Sequence, residues 1–365
     1  MGGGEIKDHL LCLLPFPEPT AILSALRTRF PDLEVTYLDV SSSGTSTASA
    51  APHIPTHLWS RTTLLCTITT FPPSVASVPN LELVHLISAG ANQIFDKPIW
   101  KDSDVTITTS SGIHGPQIAE WVVMTGLVAS HGYRELYELQ KRRVWGDRNG
   151  EYRKVSDRVG KRVGVLGYGS IGRQVGRVAK AMGMEVLAYT AGEKDTREKK
   201  RDRGWVVPGT GDREGTVPVK WWSGLDKASL REFLKQDLDW LVVCVPLTEQ
   251  TRGFLGEEEF RILGDGGERP AYVTNIARGP ILQTDALIEA IKKGWVSGAA
   301  LDVTDPEPLP EGSELWGMKE VILTPHVSGS GEAYVGRTFE VLGENLERRR
   351  RGEGLINVVE RGRGY

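Results

Sequence analysis

The sequence is poor in cysteine, and this excludes two common ways of stabilising or equipping a protein. It contains three cysteines, Cys12, Cys66 and Cys244, each within an apolar run. Their number is odd and their spacing shows no metal-binding pair, so we expect neither a disulfide framework nor a metal site. The three thiols are predicted to lie in the core.

Long apolar runs and an excess of charge of one sign are also missing. No run approaches the roughly 18 residues that a membrane-spanning helix needs. The formal net charge is −3, which gives no attraction toward nucleic acid or an anionic membrane. The basic run from Arg348 to Arg351 is expected to be the solvated end of a helix. These absences predict a cytoplasmic protein whose partner is a small molecule.

What the sequence does contain is an alternation of short apolar segments with helical ones. Strands are predicted at HLLCLLP, EVTYLDV, TLLCTIT, LELVHLIS and DVTITTSS, and later at KRVGVLG, MEVLAYT, DWLVVCVP, AYVTNIA, SGAALDV and EVILTPH. Continuous apolar strands separated by helices are typical of parallel sheets that are covered on both faces. The sequence therefore predicts an α/β protein with doubly wound parallel sheets.

A glycine-rich turn directly follows the strand VGVLG and opens a helix. Gly167, Gly169 and Gly172 have the spacing that allows a tight turn, close approach of a pyrophosphate and close packing of helix on strand. With Ser170 and Ile171 between them, the turn offers the N–H groups of a helix start to a phosphate. We predict a dinucleotide site here; the alternative is a glycine-rich turn without a ligand.

The next strand lacks the acidic residue that such sites usually carry at its end. A carboxylate there would bind the ribose 2′-hydroxyl and repel a 2′-phosphate, but MEVLAYT ends in Thr190. Lys194 and Arg197 follow and could supply positive charge, although a single cation in such a run is more often a solvated surface residue. The pattern favours NADPH and leaves NADH possible.

Three further strands are each followed by a residue suited to the chemistry of 2-keto acids. Arg278 could hold a carboxylate with two hydrogen bonds, and His326 could protonate a carbonyl oxygen. Glu307 would favour the charged imidazole if it met the other ring nitrogen. Each residue alone is more often structural or solvated. Together, at the carboxyl ends of strands, they predict a reductase site.

With these motifs in view, the chain resembles the D-isomer-specific 2-hydroxyacid dehydrogenase family, and its glyoxylate/hydroxypyruvate reductases in particular. The resemblance runs from about Leu81 to the end and rests on SAGANQI, AEW, GYGSIG, VPLTEQTRGFLG, NIARG, LDVTDPEPLP and TPHVSG. It implies NAD(P)H-dependent reduction of a 2-keto acid to a D-2-hydroxy acid. The fold it implies is a Rossmann cofactor domain inserted in a flavodoxin-like substrate domain.

The resemblance also assigns roles to residues. It implies Arg278 as carboxylate anchor, Glu307 and His326 as the pair that donates the proton, and the backbone of Ala89 and Gly90 as a second carboxylate contact. Asp302 is implied to face the nicotinamide amide. The predicted cofactor-binding set is Gly167, Gly169, Ser170, Ile171, Gly172, Thr190, Lys194, Pro246, Thr251, Ile276 and Asp302.

The order of the predicted strands and helices also predicts the domain boundaries. Residues 1–115 are predicted to form the substrate domain, to which 333–365 return, and residues 116–332 the dinucleotide-binding domain. The small-polar segment 41–52 is expected to be a surface loop. One long helix is predicted from Pro116 through PQIAEWVVMTGLVASHGYRELYELQKRRVW. In the family this helix commonly forms a dimer, so a homodimer is expected.

Three departures and one rival function stay open at the level of sequence. Asn92 stands where the family often has Asp, Pro280 and Gln283 alter the loop after NIARG, and the segment 192–222 is longer than the family usually needs. The rival function is a dinucleotide-sensing binding protein, because the C-terminal-binding-protein corepressors resemble the same family. Formate dehydrogenase is disfavoured, since that branch lacks the glutamate of LDVTDPEPLP.

Overall fold

The computed structural model describes residues 8–41, 54–146 and 155–362. Nearly all of the loop predicted for 41–52 lies outside these ranges. The chain divides into two compact units, of which unit 1 comprises Met1–Ile113 with Glu332–Tyr365 and unit 2 comprises His114–Gly331. Among the described helices, none combines the length and the apolar character needed to cross a bilayer.

The strands are β1 His9–Leu14, β2 Glu34–Asp39, β3 Leu64–Thr67, β4 Leu83–Leu86, β5 Thr106–Thr109, β6 Arg162–Leu166, β7 Glu185–Thr190, β8 Lys220–Ser223, β9 Trp240–Val243, β10 Ala271–Asn275, β11 Val296–Leu301 and β12 Val321–Leu323. The helices are α1 Thr20–Arg29, α2 Thr56–Arg61, α3 Pro98–Lys101, α4 Gly115–Ser130, α5 Tyr133–Lys141, α6 Ser170–Ala181, α7 Arg197–Lys200, α8 Lys227–Leu234, α9 Glu257–Leu263, α10 Thr284–Lys292 and α11 Tyr334–Arg350.

Unit 1 is a parallel five-stranded sheet with the order β2-β1-β3-β4-β5. This is the order of flavodoxin-like folds. Successive residues of each strand point to opposite faces, so Leu11 and Leu13 enter one apolar cluster and Leu10, Cys12 and Leu14 the other. The uninterrupted apolar run of β1 exists because both faces of the sheet are buried.

Unit 2 is a parallel seven-stranded sheet with the order β12-β11-β10-β9-β6-β7-β8. Starting from β6, the first six strands have the arrangement of the Rossmann fold, and β12 extends it by one. Two apolar clusters again cover its faces. The predicted fold class, a pair of doubly wound parallel sheets with a Rossmann unit inserted in a flavodoxin-like one, is confirmed.

The structure contains one strand that the sequence did not reveal. β8 is the four-residue segment KWWS at the edge of the sheet, where it pairs with β7. Its two tryptophans pack on opposite faces, Trp221 with one cluster and Trp222 with the other, and both stay partly exposed. A half-exposed edge strand has neither a long apolar run nor a clean alternation, so its pattern is weak.

The single long helix predicted from Pro116 is wrong. The structure has two helices there, α4 and α5, which are separated at Gly132. Gly132 has φ 60°, in the left-handed region that glycine adopts without cost and that ends a right-handed helix. The apolar spacing continued across the break and hid it.

Candidate active site

The glycine turn occupies the first βα connection of unit 2, between β6 and α6. Gly167 has φ 103°, and a Cβ there would lie 2.6 Å from the backbone of Cys244. A Cβ on Gly172 would lie 2.3 Å from the carbonyl oxygen of Gly167. Packing thus requires the first and third glycines. No heavy atom lies within 4 Å of a Cβ built on Gly169, so the second glycine leaves open space.

That open space lies at the N-terminus of α6. The helix hydrogen bonds begin with Arg173, whose N–H donates to the carbonyl of Gly169 at 2.9 Å. The N–H groups of Ser170, Ile171 and Gly172 precede it, and the N-terminal groups of a helix have no partner within the helix. Unpaired donors at the positive end of a helix, beside a position without a side chain, fit the phosphates of a dinucleotide.

At the end of β7, the structure places Thr190 where the usual carboxylate would stand. Its hydroxyl donates to the carbonyl of Gly192 at 2.8 Å, which closes the turn that leaves the strand. Lys194 follows and is partly buried. Arg197 is highly exposed and lies 3.5 Å from Glu214. Residue 190 therefore brings no negative charge to the strand end, and Arg197 is already paired with Glu214 in solvent.

The long segment after β7 is an ordered part of unit 2. The buried guanidinium of Arg173 donates to the carbonyls of Asp212, at 2.5 Å, and Lys200, at 2.6 Å. The hydroxyl of Tyr168, which lies inside the glycine turn, donates to the Asp212 carboxylate at 3.1 Å. Sequence reasoning missed both Arg173 and Asp212. The one feature of the sequence that could have indicated this contact is Arg173 itself, a charged residue on the apolar face of α6, four residues after Gly169.

Three of the other predicted cofactor contacts lie after β9 and β10. Thr251 is buried, and its hydroxyl donates to the carbonyl of Pro246 at 2.7 Å, so the two residues fix one loop. Ile276 follows β10 directly and is buried in the apolar cluster on one face of the sheet. All three therefore lie at the carboxyl edge of the sheet that carries the glycine turn.

Arg278 ends the loop after β10 and is held by its neighbours. Buried Asn275 donates from its amide to the Arg278 carbonyl at 3.1 Å and accepts from the N–H of Ala277 at 3.1 Å. The guanidinium donates to the Ala277 carbonyl at 2.6 Å. Burial lowers the pKa of Arg278 and the charge of Glu307 raises it, but a guanidinium stays charged at any physiological pH. Asn275 was missed by sequence reasoning.

The loops after β10 and β11 pass in direct contact. A Cβ on Gly279 would lie only 1.9 Å from the carbonyl oxygen of Thr304. Only glycine allows this approach, because any side chain would enter the backbone of the neighbouring loop. The contact fixes the loop of Arg278 against the loop that leads to Glu307.

Glu307 and His326 form a hydrogen-bonded pair at the ends of β11 and β12. The Nδ1 atom of His326 lies 2.7 Å from Oε1 of Glu307, and both side chains are nearly half exposed. In the part of the chain that the structure describes, no group bonds to the other ring nitrogen, Nε2. A ring held by one nitrogen and open at the other is the arrangement of a general acid.

Asp302 begins the same loop as Glu307, but its side chain is almost completely buried. Its carboxylate accepts hydrogen bonds from Thr324, Val327 and Ser328, which surround His326 in sequence. Beside the residues predicted for proton transfer, the structure therefore contains a buried acid that sequence reasoning had connected only with the cofactor.

Ala89 and Gly90 lie in unit 1, in the turn after β4. The hydroxyl of Ser88 donates to the Gly90 carbonyl at 2.7 Å, and the amide of Gln93 donates to that hydroxyl at 2.7 Å. Within the described ranges, the N–H groups of Ala89 and Gly90 donate to no acceptor. The turn thus offers free donors in unit 1, whereas Arg278, Glu307 and His326 are brought together in unit 2.

Comparisons with known proteins show the family to which the chain is similar. A family model described as D-isomer specific 2-hydroxyacid dehydrogenase, NAD binding domain, matches residues 123–207 and 216–328, more than half of the chain. Glyoxylate reductase of Pyrococcus furiosus is 29% identical over 291 residues, covering 76% of this chain and 75% of that protein. Glyoxylate reductase of Thermococcus kodakarensis is 28% identical over 299 residues, covering 78% of each.

Solved structures are similar over almost the whole chain. A D-isomer specific 2-hydroxyacid dehydrogenase from Xanthobacter autotrophicus, in complex with NADPH and MES, is 26% identical with a TM-score of 0.74, covering 98% of this chain and all of that one. An NADPH-dependent glyoxylate/hydroxypyruvate reductase from Sinorhizobium meliloti, with NADP and sulfate, is 24% identical with a TM-score of 0.72 and the same coverage. The second likeness concerns the fold alone.

Proposed function

Because the chain belongs to the D-isomer specific 2-hydroxyacid dehydrogenase family, we propose that it reduces a 2-keto acid of the glyoxylate or hydroxypyruvate type to the D-2-hydroxy acid. It is an NAD(P)-dependent 2-hydroxyacid dehydrogenase. The observation that supports this chemistry is the Glu307–His326 pair, with Nδ1 held at 2.7 Å and Nε2 open.

Each residue of the pair has a definite task in the reduction. Protonated His326 donates from Nε2 to the carbonyl oxygen as negative charge develops there, and is left as neutral imidazole. Glu307 holds the ring through Nδ1 and stabilises its charged form. When bound, the reduced nicotinamide supplies the hydride that is added to the carbonyl carbon. The proton and the hydride together convert the carbonyl group to an alcohol.

Arg278 is proposed to bind the substrate carboxylate. The planar guanidinium matches a carboxylate with two parallel hydrogen bonds, which fixes the plane of the keto acid. Ala89 and Gly90 are proposed as a carboxylate contact of unit 1, because their free N–H groups suit an anion. We also propose a role for each unit: unit 1 is the substrate domain and unit 2 is the dinucleotide-binding domain.

We further propose that NADPH is the preferred cofactor. Thr190 places no negative charge at the end of β7, so this residue does not repel a 2′-phosphate, and Lys194 follows four residues later. A charge-assisted hydrogen bond contributes roughly 1.5–3 kcal/mol, or about tenfold to a hundredfold in affinity. Pro246, Thr251 and Ile276 are proposed to contact the rest of the cofactor.

The experiment is a set of initial rates with glyoxylate, hydroxypyruvate and larger 2-keto acids, with each reduced cofactor at subsaturating concentration. We expect turnover of at least one keto acid and an efficiency at least about tenfold higher with NADPH. Thr190→Asp should shift the preference toward NADH, whereas Thr190→Val, which adds no charge, should retain it. Dinucleotide binding without turnover of any keto acid would favour the binding-protein alternative. Equal efficiencies would contradict the NADPH assignment alone.

A further inference from the structure

The segment that connects β7 to β8, residues 191–219 (the crossover segment), is attached to α6 by one buried side chain. The Arg173 guanidinium donates to the carbonyl of Asp212 at 2.5 Å and to the carbonyl of Lys200 at 2.6 Å. Lys200 ends α7, and Asp212 lies in the part of the segment that returns toward β8. A single guanidinium therefore joins the outgoing and the returning halves of the crossover segment.

Arg173 is a buried cation whose polar partners come from the crossover segment. Its Nε atom lies 3.8 Å from the Asp202 carboxylate, and its guanidinium lies 5.4 Å from the ring centre of Tyr168 and 5.9 Å from that of Trp221. A buried cation is costly unless its donors are bonded and its charge is compensated. Both carbonyls and the carboxylate belong to the crossover segment, so moving the segment away from α6 would leave a buried charge without these partners.

Tyr168 connects the crossover segment with the glycine turn and with the end of β7. Its N–H donates to the carbonyl of Tyr189 at 3.0 Å, and Tyr189 precedes Thr190 in β7. Its hydroxyl donates to the Asp212 carboxylate at 3.1 Å, which also accepts from two backbone N–H groups of the segment at 2.9 Å and 3.0 Å. Both Tyr168 and Asp212 are buried. The glycine turn, the strand end and the crossover segment thus form one hydrogen-bonded unit.

The crossover segment brings charge of both signs to the part of the chain that follows Thr190. Residues 193–203 contain six Lys or Arg and four Asp or Glu side chains. Among the cations, Arg197 and Arg201 are already paired, at 3.5 Å and 3.3 Å from the Glu214 carboxylate. A charge-assisted hydrogen bond to a phosphate needs a donor–acceptor distance of about 2.7–2.9 Å. Because the two signs are interspersed, the attraction for a 2′-phosphate depends on how the segment is held.

We propose that Arg173, Tyr168 and Asp212 are positioning residues that hold the crossover segment at the adenosine end of the cofactor and so set the discrimination between NADPH and NADH. In a Rossmann fold, the end of the second strand is where the adenosine ribose is bound, and here Thr190 stands at that end. The inference rests on the proposed preference for NADPH. Loosening the segment should remove the contact with the 2′-phosphate. The glycine turn, which suits the pyrophosphate that both cofactors share, should still bind it.

The test measures dissociation constants for the full-length wild type, Arg173→Met and Tyr168→Phe by titration calorimetry. The ligands are two pairs that differ in the 2′-phosphate: NADPH with NADH, and adenosine 2′,5′-bisphosphate with adenosine 5′-monophosphate. In Arg173→Met, the dissociation constant of each 2′-phosphorylated ligand should rise about tenfold or more, the loss of one charge-assisted hydrogen bond. That of its partner should change by less than about twofold. Tyr168→Phe keeps the ring and should shift both ratios the same way by about threefold.

Lys180→Met is the control, because it removes a cation from an exposed position of the same helix and should leave both ratios unchanged. Equal weakening within each pair would show that the network merely stabilises the fold and would overturn the proposal. Unchanged ratios in Arg173→Met and Tyr168→Phe would also overturn it, and Tyr168→Phe decides if Arg173→Met does not fold. A wild type that binds NADPH and NADH equally would refute the proposed cofactor preference, and this inference with it. A preference that persists in the variants would refute this inference alone.

Discussion

At the scale of single residues, the charge of Arg278 is the feature of the site with the largest expected effect. Arg278→Ala should lower kcat/KM for 2-keto acids by about a hundredfold or more, because the substrate carboxylate loses a two-bond charged partner. The kcat/KM of Arg278→Lys should lie between those of the wild type and Arg278→Ala, because lysine keeps the charge but lacks the planar guanidinium. Steady-state kinetics measures both. An alanine variant within twofold of wild type would contradict the assignment.

A second residue-scale prediction concerns His85, which is fully buried beneath the turn after β4. Its ring nitrogens contact the hydroxyls of Thr108 at 3.0 Å and Ser110 at 3.1 Å, and burial lowers its pKa to about 4. In the unfolded chain, His85 therefore binds a proton below about pH 6.5. In the folded chain it binds this proton only below about pH 4. The contribution of His85 to the free energy of unfolding should be fully present above about pH 6.5 and be lost as the pH falls toward 4.

The loss due to His85 should reach about 2 kcal/mol between pH 7 and pH 5. Urea unfolding of His85→Gln at the two pH values should show a pH dependence smaller by about that amount. His57→Gln, at an exposed position, is the control and should keep the wild-type dependence. Identical pH dependence in all three proteins would show that the fold does not lower the pKa of His85.

At the scale of elements, the site depends on how loops after neighbouring strands pass each other. Gly279→Ala should separate the loop of Arg278 from the loop of Glu307, because the added Cβ would meet the Thr304 carbonyl at 1.9 Å. We expect a loss of about 1–3 kcal/mol in unfolding free energy and a lower kcat. Gly312→Ala, where a Cβ meets nothing within 4 Å, is the matched control. A Gly279→Ala protein equal to this control in both measurements would mean that the contact does not matter.

At the scale of the whole molecule, exposed apolar side chains are concentrated in one stretch of the chain. Large apolar residues that remain exposed between 124 and 159 are Met124, Tyr133, Leu136, Tyr137, Val144, Trp145, Val155 and Val159, with Trp145 at 93%. A concentration of this kind marks an interaction surface. We propose that these residues, on α4, α5 and in 144–145 and 155–159, take part in a twofold homodimer interface.

Sedimentation at micromolar concentration should show a dimer, and the double change Tyr133→Glu and Tyr137→Glu should dissociate it. The two rings stack with centroids 6.3 Å apart on the surface of α5. Two glutamates in their place would put two negative charges into the proposed interface. Trp316→Glu alters an exposed aromatic residue outside this stretch and should leave the dimer intact. A wild-type protein that sediments only as a monomer would refute the interface.

The sequence alone determined the fold class and selected the candidate residues of the site. Buried parallel strands must be apolar on both faces, so eleven of the described strands, all except β8, could be predicted from short runs such as HLLCLL and WLVV. Turn chemistry is equally local, which is why Gly167 and Gly172 could be recognised from spacing. Arg278, Glu307 and His326 could be selected because each follows a strand, and the carboxyl ends of parallel strands share one edge.

Only the tertiary structure decided how these parts are held. The edge strand β8 has too little burial to leave a pattern, and the break at Gly132 lies within continuous apolar spacing. The four hydrogen bonds to Asp302 and the passage of Gly279 against Thr304 join segments more than twenty residues apart. Contacts of this kind depend on the path of the backbone through space, and sequence periodicity reports only which face of an element is buried.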